Sequence, residues 1–316
     1  MAQVQVVGLG SCTVDFFALV PHLLHGNDKV NATKLEIHAG GVTANNLTQV
    51  ARCGATTGWF GLLGDDSNSK IILDAFRADG MDTSAVEQVP GQLSSITWIP
   101  VDAQGERCIY MFPNVTAAVT PEQIRTRFGA YIKQAAHLHT EASQLPLAPV
   151  LEAMRIARDA GVKNVFDLDV DPTYFVQAGL GTEADLAEAM RLTDILKPCK
   201  PAARALTGVS GASDLEAMAQ KLLAMGPKIV ALTAGGEGCV IASAAGMVHR
   251  PAYKVNVVDT TGAGDAFMGG LSFALLQGWP HDRVASFANA CAALCCTAVG
   301  ARAMARRDRV EALMAR

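Results

Sequence analysis

Two carboxylates and two glycines fall within seven residues in DTTGAGD, Asp259 to Asp265, between the apolar run KVNVV and the helix-like run AFMGGLSFALLQG. Like charges repel and glycine carries a backbone-entropy cost, so the pattern implies a ligand that offsets both. Glycines that follow a strand and open a helix leave unpaired N–H groups at the positive end of a helix dipole, which binds anions. Gly262 and Gly264 allow close backbone approach, the amides around Ala263 and Gly264 can face a phosphate oxygen, and Asp265 falls in the first helical turn. A carboxylate beside a phosphate is repulsive unless it accepts a proton from an incoming hydroxyl, the chemistry of phosphoryl transfer to an alcohol. Taken alone, the seven residues also fit a tight turn with an acid at a helix start.

Other residues could do chemistry. Asp167, Asp169 and Asp171 alternate, which on a strand puts three carboxylates on one face, either to contact a metal, water or substrate hydroxyls or as a solvated strand end. His137 and His139 alternate before Glu141 and read as structural histidines. Eight cysteines are scattered without CxxC spacing, and no zinc pattern is completed. Reduced thiols in a cytoplasmic protein fit that usage.

The elements that must position these groups alternate. VQVVGLGS, TTGWFGLLG, VKNVFDLDV, DILKP and KIVALTAGG read as strands, and TANNLTQVARCG, SNSKIILDAFRADG, PLAPVLEAMRIARDAG and SDLEAMAQKLLAMG as helices. Strand and helix in turn predict a doubly wound, mostly parallel α/β sheet with helices on both faces. Residues 15–37 and 93–115 interrupt it with strand-like pieces lacking helices, DFFALV, KLEIHA, SSITWIPVD and GERCIYMF, the last two flanking a hairpin turn at Ala103-Gln104-Gly105. These insertions predict a small β lid over a core made of residues 1–14, 38–92 and 116–316.

Composition excludes other classes. With 26 basic against 30 acidic residues, net charge −4, there is no basic field for nucleic acid. Arg302, Arg306, Arg307 and Arg309, with Asp308 and Glu311 between them, read as a solvated helix face. The N-terminus lacks a basic and apolar leader, and the uncharged run Val284 to Ala301 is alanine-rich with Ser286 and Asn289, so a buried helix is expected there and no membrane contact. Gly8-Leu9-Gly10 suggests a dinucleotide fingerprint, but Thr13 stands where its third glycine belongs.

DTTGAGD followed by AFMGG resembles the signature of the ribokinase-like (PfkB-type) carbohydrate kinases. AGGVTANN with Gly40, Gly41 and Asn45 resembles their glycine-rich sugar-binding signature, GLLGDD follows it in order, and TAGGEG, Thr233 to Gly238, is similar to their nucleotide-phosphate loop. The resemblance covers essentially the whole chain. It implies an ATP-dependent sugar kinase in which Asp265 is the general base and Gly262, Ala263 and Gly264 form the anion hole. It further implies sugar binding by Asp15, Gly40, Gly41 and Asn45, and nucleotide contacts from Thr233, Gly235, Gly238 and Asn289. Asp259 and Thr261 fall where many relatives bind a monovalent cation such as K⁺. ATP and Mg²⁺ are the expected cofactors, and a homodimer through the lid is the expected partner.

One family element is missing. Relatives carry Asn-x-x-Glu after the strand resembling DILKP, a motif that helps organise Mg²⁺, and here Cys199 and Ala202 take those places. Two other readings stand beside the sugar kinase. One is a nucleoside kinase of the same fold, with Phe16, Phe17, Trp98 and Phe112 available to stack on a purine; the other is a non-catalytic sugar or nucleotide sensor.

Overall fold

The computed structural model describes residues 3–209 and 214–316. Its strands are β1 (Val6–Leu9), β2 (Thr13–Leu19), β3 (Lys34–Gly40), β4 (Thr57–Trp59), β5 (Gly61–Gly64), β6 (Val86–Val89), β7 (Ile96–Val101), β8 (Tyr110–Phe112), β9 (His137–Glu141), β10 (Lys163–Leu168), β11 (Ile195–Pro198), β12 (Ile229–Thr233), β13 (Cys239–Ser243) and β14 (Gly246–Arg250). The central sheet has eight strands in the order β14-β13-β12-β11-β10-β9-β1-β4. From β4 to β12 neighbours are parallel, and β13 and β14 add an antiparallel edge.

The inner strands are buried on both faces, and β1 (VVGL), β12 (IVALT) and β13 (CVIAS) are accordingly almost continuously apolar. In contrast, β9 (HLHTE), β10 (KNVFDL) and β11 (ILKP) bury polar or charged side chains among apolar ones. Val6, Val165 and Ala231 point into one core, shared with helices Val42–Arg52, Ala263–Leu276 and His281–Cys295. Their neighbours Val7, Phe166 and Val230 point into the other, shared with Leu147–Asp159, Glu183–Leu192 and Leu215–Leu223. The last of these helices was expected to start near Ser213, which lies outside the described residues.

Two strand expectations differ from the structure. TTGWFGLLG divides at Phe60: β4 joins the central sheet, while Gly61, at φ 142°, turns β5 away to pair with β6. KVNVV is irregular chain, because the amides of Val258 and Asp259 reach the carbonyl of Cys296 at the end of a helix rather than a strand edge.

β3-β2-β7-β8 form a separate four-stranded sheet. Alternation gives it two distinct faces. Phe16 and Trp98 stack on one, with ring centroids 6.1 Å apart, while Asp15, Phe17 and His38 occupy the other. Among the described residues no helix is long and apolar enough to cross a membrane.

Candidate active site

β1 is flanked by β4 and β9, so chain connections leave it in both directions, and an open α/β sheet binds ligands beyond the carboxyl ends of strands at such a switch point. The helix Ala263–Leu276 opens there. Gly262 caps it at φ 78°, and a Cβ on it would fall 2.3 Å from the carbonyl oxygen of Ala301, so glycine is required on both counts. The amide of Ala263 donates to Thr260 O at 3.2 Å, while those of Gly262, Gly264 and Asp265 have no partner among the described residues. Those three amides remain available to an anion.

Gly269 determines how Asp265 is aimed. A Cβ there would lie 2.5 Å from Gln49 Cβ and 2.6 Å from Asn46 O, so the helix meets Val42–Arg52 at a distance only glycine permits. The approach brings Asn45 Nδ2 within 2.8 Å of Asp265 Oδ2. Burial, followed by the carboxylate of Asp169, holds the Asp265 carboxyl well above the usual range, against the opposing pull of Lys197 and the Asn45 hydrogen bond.

Lys197, at the end of β11, forms an ion pair with Asp167 at 2.8 Å, with side chains only 4% and 0% exposed. Its ammonium lies 3.4 Å from where a Gly264 Cβ would be, against the glycine loop. Burial disfavours its charge, but Asp167, Asp169 and Asp265 outweigh burial and raise its pKa. Asn46 Nδ2 reaches Asp167 Oδ2 at 3.4 Å. The three alternating aspartates do not share a strand face. β10 stops at Leu168, Asp169 lies beyond it, and Asp171 caps the helix Pro172–Gln177 by accepting from the Thr173 amide at 2.7 Å.

Asp15 is 7% exposed on β2 and accepts from Thr13 Oγ1 at 2.6 Å. Burial raises its pKa, and bonds from Thr13 and Thr97 moderate the rise. Gly40 abuts it, since a Cβ at that position would fall 1.9 Å from Asp15 Oδ2, and Gly41 caps the helix that carries Asn45. Asp15, Gly40, Gly41, Asn45 and Asp265 thus form one connected wall. A cavity of 450 Å³, lined by Phe17, His38, Arg107, Thr261 and Gly300 among others, opens between the four-stranded sheet and the DTTGAGD loop. Arg107 Nη1 spans this gap and donates to Thr261 Oγ1 at 2.8 Å.

On the other side of the glycine loop, Thr233, Gly235, Gly238 and Asn289 line a cavity of 240 Å³ together with Ala263 and Gly264. The Asn289 side chain supports its wall, donating to the carbonyls of Arg250 and Pro251 at 3.1 Å. Asp259 organises the turn: Oδ1 accepts from the amide and hydroxyl of Thr261 at 2.9 and 2.8 Å, and Oδ2 from the Gly300 amide at 2.9 Å. Burial would raise its pKa, but these bonds lower it. Asp259 and Thr261 are thus both engaged in hydrogen bonds within the turn. Among the described residues no group of three or more His, Cys, Asp or Glu is placed to hold a metal.

A profile of the pfkB family carbohydrate kinases matches residues 3–308. The chain belongs to the pfkB carbohydrate kinase family. Aminoimidazole riboside kinase of Salmonella typhimurium is 31% identical over 274 residues, covering 83% of this chain and 83% of its own. Bifunctional ribokinase/ribose-5-phosphate isomerase A of Fructilactobacillus sanfranciscensis is 31% identical over 271 residues, which is 85% of this chain but 48% of the relative's length. The structure of Arabidopsis thaliana ribokinase complexed with ribose and ATP has the same fold, with a TM-score of 0.86 at 23% identity over 99% of both chains. The protein is a sugar kinase, a phosphotransferase with an alcohol group as acceptor.

In this kinase the places of the absent Asn-x-x-Glu offer no oxygen ligand. Cys199 Sγ accepts from the Ala202 amide at 3.5 Å as a helix cap, and Ala202 is fully buried. The charged group against the glycine loop is Lys197, to which the sequence reading gave no role; its partner Asp167 stands on a different strand, so no local spacing marks the pair. Arg302 was also misplaced, because it is not part of a solvated helix face. The helix starts at Arg307, and Arg302 turns inward, donating through Nε to Asn45 Oδ1 at 3.0 Å. His137 and His139 are structural: both meet Ser272 Oγ, at 2.9 and 2.7 Å, and burial pushes their pKa values down to about 4 and about 3.

Proposed function

We propose that this kinase transfers the γ-phosphoryl group of ATP to a hydroxyl of a small sugar or sugar derivative, with Asp265 as general base. The observation that carries this reading is the hydrogen bond of Asn45 to Asp265 Oδ2, at a helix mouth whose amides at Gly262, Gly264 and Asp265 are free. One carboxylate oxygen is held, and no hydrogen bond among the described residues reaches Oδ1, which is left to take the acceptor proton. The raised pKa makes Asp265 a stronger base once ionised, suited to an alcohol. The free amides and the Lys197 ammonium stabilise charge on the migrating phosphoryl group.

Asp15 and Asn45 hold the acceptor's hydroxyls over the floor formed by Gly40 and Gly41, while ATP lies along the cavity lined by Thr233, Gly235, Gly238 and Asn289. A nucleotide-bound Mg²⁺ fits beside Asp169, a carboxylate without a hydrogen-bond partner among the described residues, since Mg²⁺ usually needs one or two carboxylates besides phosphates and water. Bound there, Mg²⁺ supplies neutralisation of phosphate charge. The four-stranded sheet acts as the lid that excludes competing water. Its outer face, with Trp98, Tyr110 and Phe112 exposed, is the surface for a second copy. Of the aromatic residues available to a purine, Phe16, Trp98 and Phe112 lie on the face of the lid opposite Asp15, while Phe17 and His38 line the cavity on the Asp15 side and offer a base a stacking surface, so adenosine belongs in the acceptor panel beside the sugars.

The test is ADP release with ATP, Mg²⁺ and a panel of ribose, fructose, 2-keto-3-deoxygluconate and adenosine. Asp265→Asn should keep ATP affinity while turnover falls by about 10²–10⁴-fold. Equal rates would remove Asp265 from the role of base.

A further inference from the structure

The loop that follows helix His281–Cys295 is clamped from three directions. Asp259 holds the Gly300 amide, Arg52 Nη1 donates to the carbonyls of Arg302 and Met304 at 2.8 and 2.9 Å, and Gln49 Nε2 donates to the carbonyl of Ala305 at 3.0 Å. Arg52 is itself fixed by an ion pair with Asp79 at 2.8 Å. So held, the loop delivers the Arg302 guanidinium beneath the acceptor wall. Nε donates to Asn45 Oδ1 at 3.0 Å, Nη2 donates to Gly40 O at 3.2 Å, and Nη1 is buried without a partner.

A carboxamide has two unlike ends, and a neighbour decides which end faces where. Because Arg302 donates to Oδ1 of Asn45, the NH₂ end of that amide is directed at Asp265. The reversed amide would set an oxygen against the Asp265 carboxylate and leave an N–H facing the guanidinium. We infer that Arg302 is a positioning residue for phosphoryl transfer: it locks the Asn45 amide so that Asp265 Oδ2 is occupied and Oδ1 faces the acceptor, and it anchors the Gly40 carbonyl under the same acceptor. The inference rests on the reading of Asp265 as base. It predicts that Arg302 affects turnover and acceptor binding together while leaving ATP binding alone, because its partners all lie on the acceptor side of the glycine loop.

The experiment is a kinetic cycle on the full chain with Arg302→Met, Asn45→Ala and the double variant. ADP release is followed with ATP, Mg²⁺ and the panel sugar that the parent turns over fastest, and thermal melts check folding. Arg302→Met should lower kcat by about 10–100-fold and raise the sugar KM, with the ATP KM unchanged. The double variant should be no slower than Asn45→Ala alone, since the arginine acts through the asparagine. Multiplying effects in the double variant, parent-like kcat in Arg302→Met, or an ATP KM that rises with the loss would each overturn the inference. If Arg302→Met does not fold, Arg302→Lys serves in the same cycle: one ammonium cannot reproduce the two-armed contact, so the same loss is expected and parent-like turnover overturns the inference. Asp265→Asn in parallel separates the two claims, because full turnover there removes the base while the cycle still reports whether residue 302 works through residue 45. A parent that turns over no member of the panel overturns both.

Discussion

Gly269→Ala adds one methyl group at the closest helix–helix contact of the site. Its Cβ would stand 2.5 Å from Gln49 Cβ and 2.6 Å from Asn46 O. Non-bonded carbon contacts are comfortable at about 3.5–4.0 Å, so relief requires the helices to part by about 1 Å. Neither neighbour is the tip of a flexible side chain: one is backbone and the other is the first atom of a buried glutamine. The movement therefore enters the Asn45–Asp265 hydrogen bond, now 2.8 Å, and takes it beyond hydrogen-bonding distance. A displacement of that size at a reacting group costs on the order of 10²-fold in rate. Overpacking itself costs about 1–3 kcal/mol, which a domain stable by about 5–15 kcal/mol survives. The expected variant is folded, binds ATP normally and turns over slowly, as read by ADP release, nucleotide titration and thermal melting. Gly270→Ala is the control. Its Cβ would meet Cys291 Sγ at 2.7 Å on a different helix, so it should lower the melting temperature with a smaller effect on kcat. Parent-like kcat in Gly269→Ala, or equal kcat losses in both variants, would refute the link between this contact and the base.

Lys197→Met leaves Asp167 buried without its counter-ion and should destabilise the protein by about 3–5 kcal/mol in chemical denaturation. Adding Asp167→Asn should restore most of that stability but not turnover, separating the ion pair's structural role from the ammonium's role at the phosphate. Burial, then repulsion from Asp167, raises the Asp169 carboxyl to about 6, so half-saturating Mg²⁺ should rise as pH falls through about 6. Asp169→Asn should raise the Mg²⁺ requirement and abolish that dependence. The folded pKa values of His137 and His139, about 4 and about 3, lie below the ordinary 6.5. The unfolded chain therefore binds more protons, and the pair's contribution to stability is full above pH 6.5 and lost as pH falls through about 4 and then 3. The urea midpoint of the parent should drop between pH 7 and 5, and His137→Gln with His139→Gln should flatten that slope; an unchanged slope would show that other groups set it.

Much of the central sheet is legible in the sequence because burial on both faces gives strands such as β1 and β12 apolar runs, and the helix starts are legible because caps and glycines mark them. β9, with His137, His139 and Glu141 in five residues, carries no such run. The failures share a cause. TTGWFGLLG looks like one strand because Gly61 changes direction without changing hydrophobicity, and β6, its partner, begins at Val86. KVNVV has strand composition, yet the amide of its last residue, Val258, goes to the carbonyl of Cys296 at a helix end. Arg302 matches a basic helical repeat with Arg306 and Arg309, yet its partner Asn45 lies 257 residues away, and no local period records such a pairing. Glycine is the exception among local signals, because a missing side chain records that something distant comes close. In DTTGAGD, Gly262 makes room for the carbonyl of Ala301, the residue just before the arginine that reaches Asn45. A motif glycine therefore carries two kinds of information, the anion it lets in and the remote chain segment it lets near. At Gly262 the second leads to the loop that carries Arg302 to Asn45.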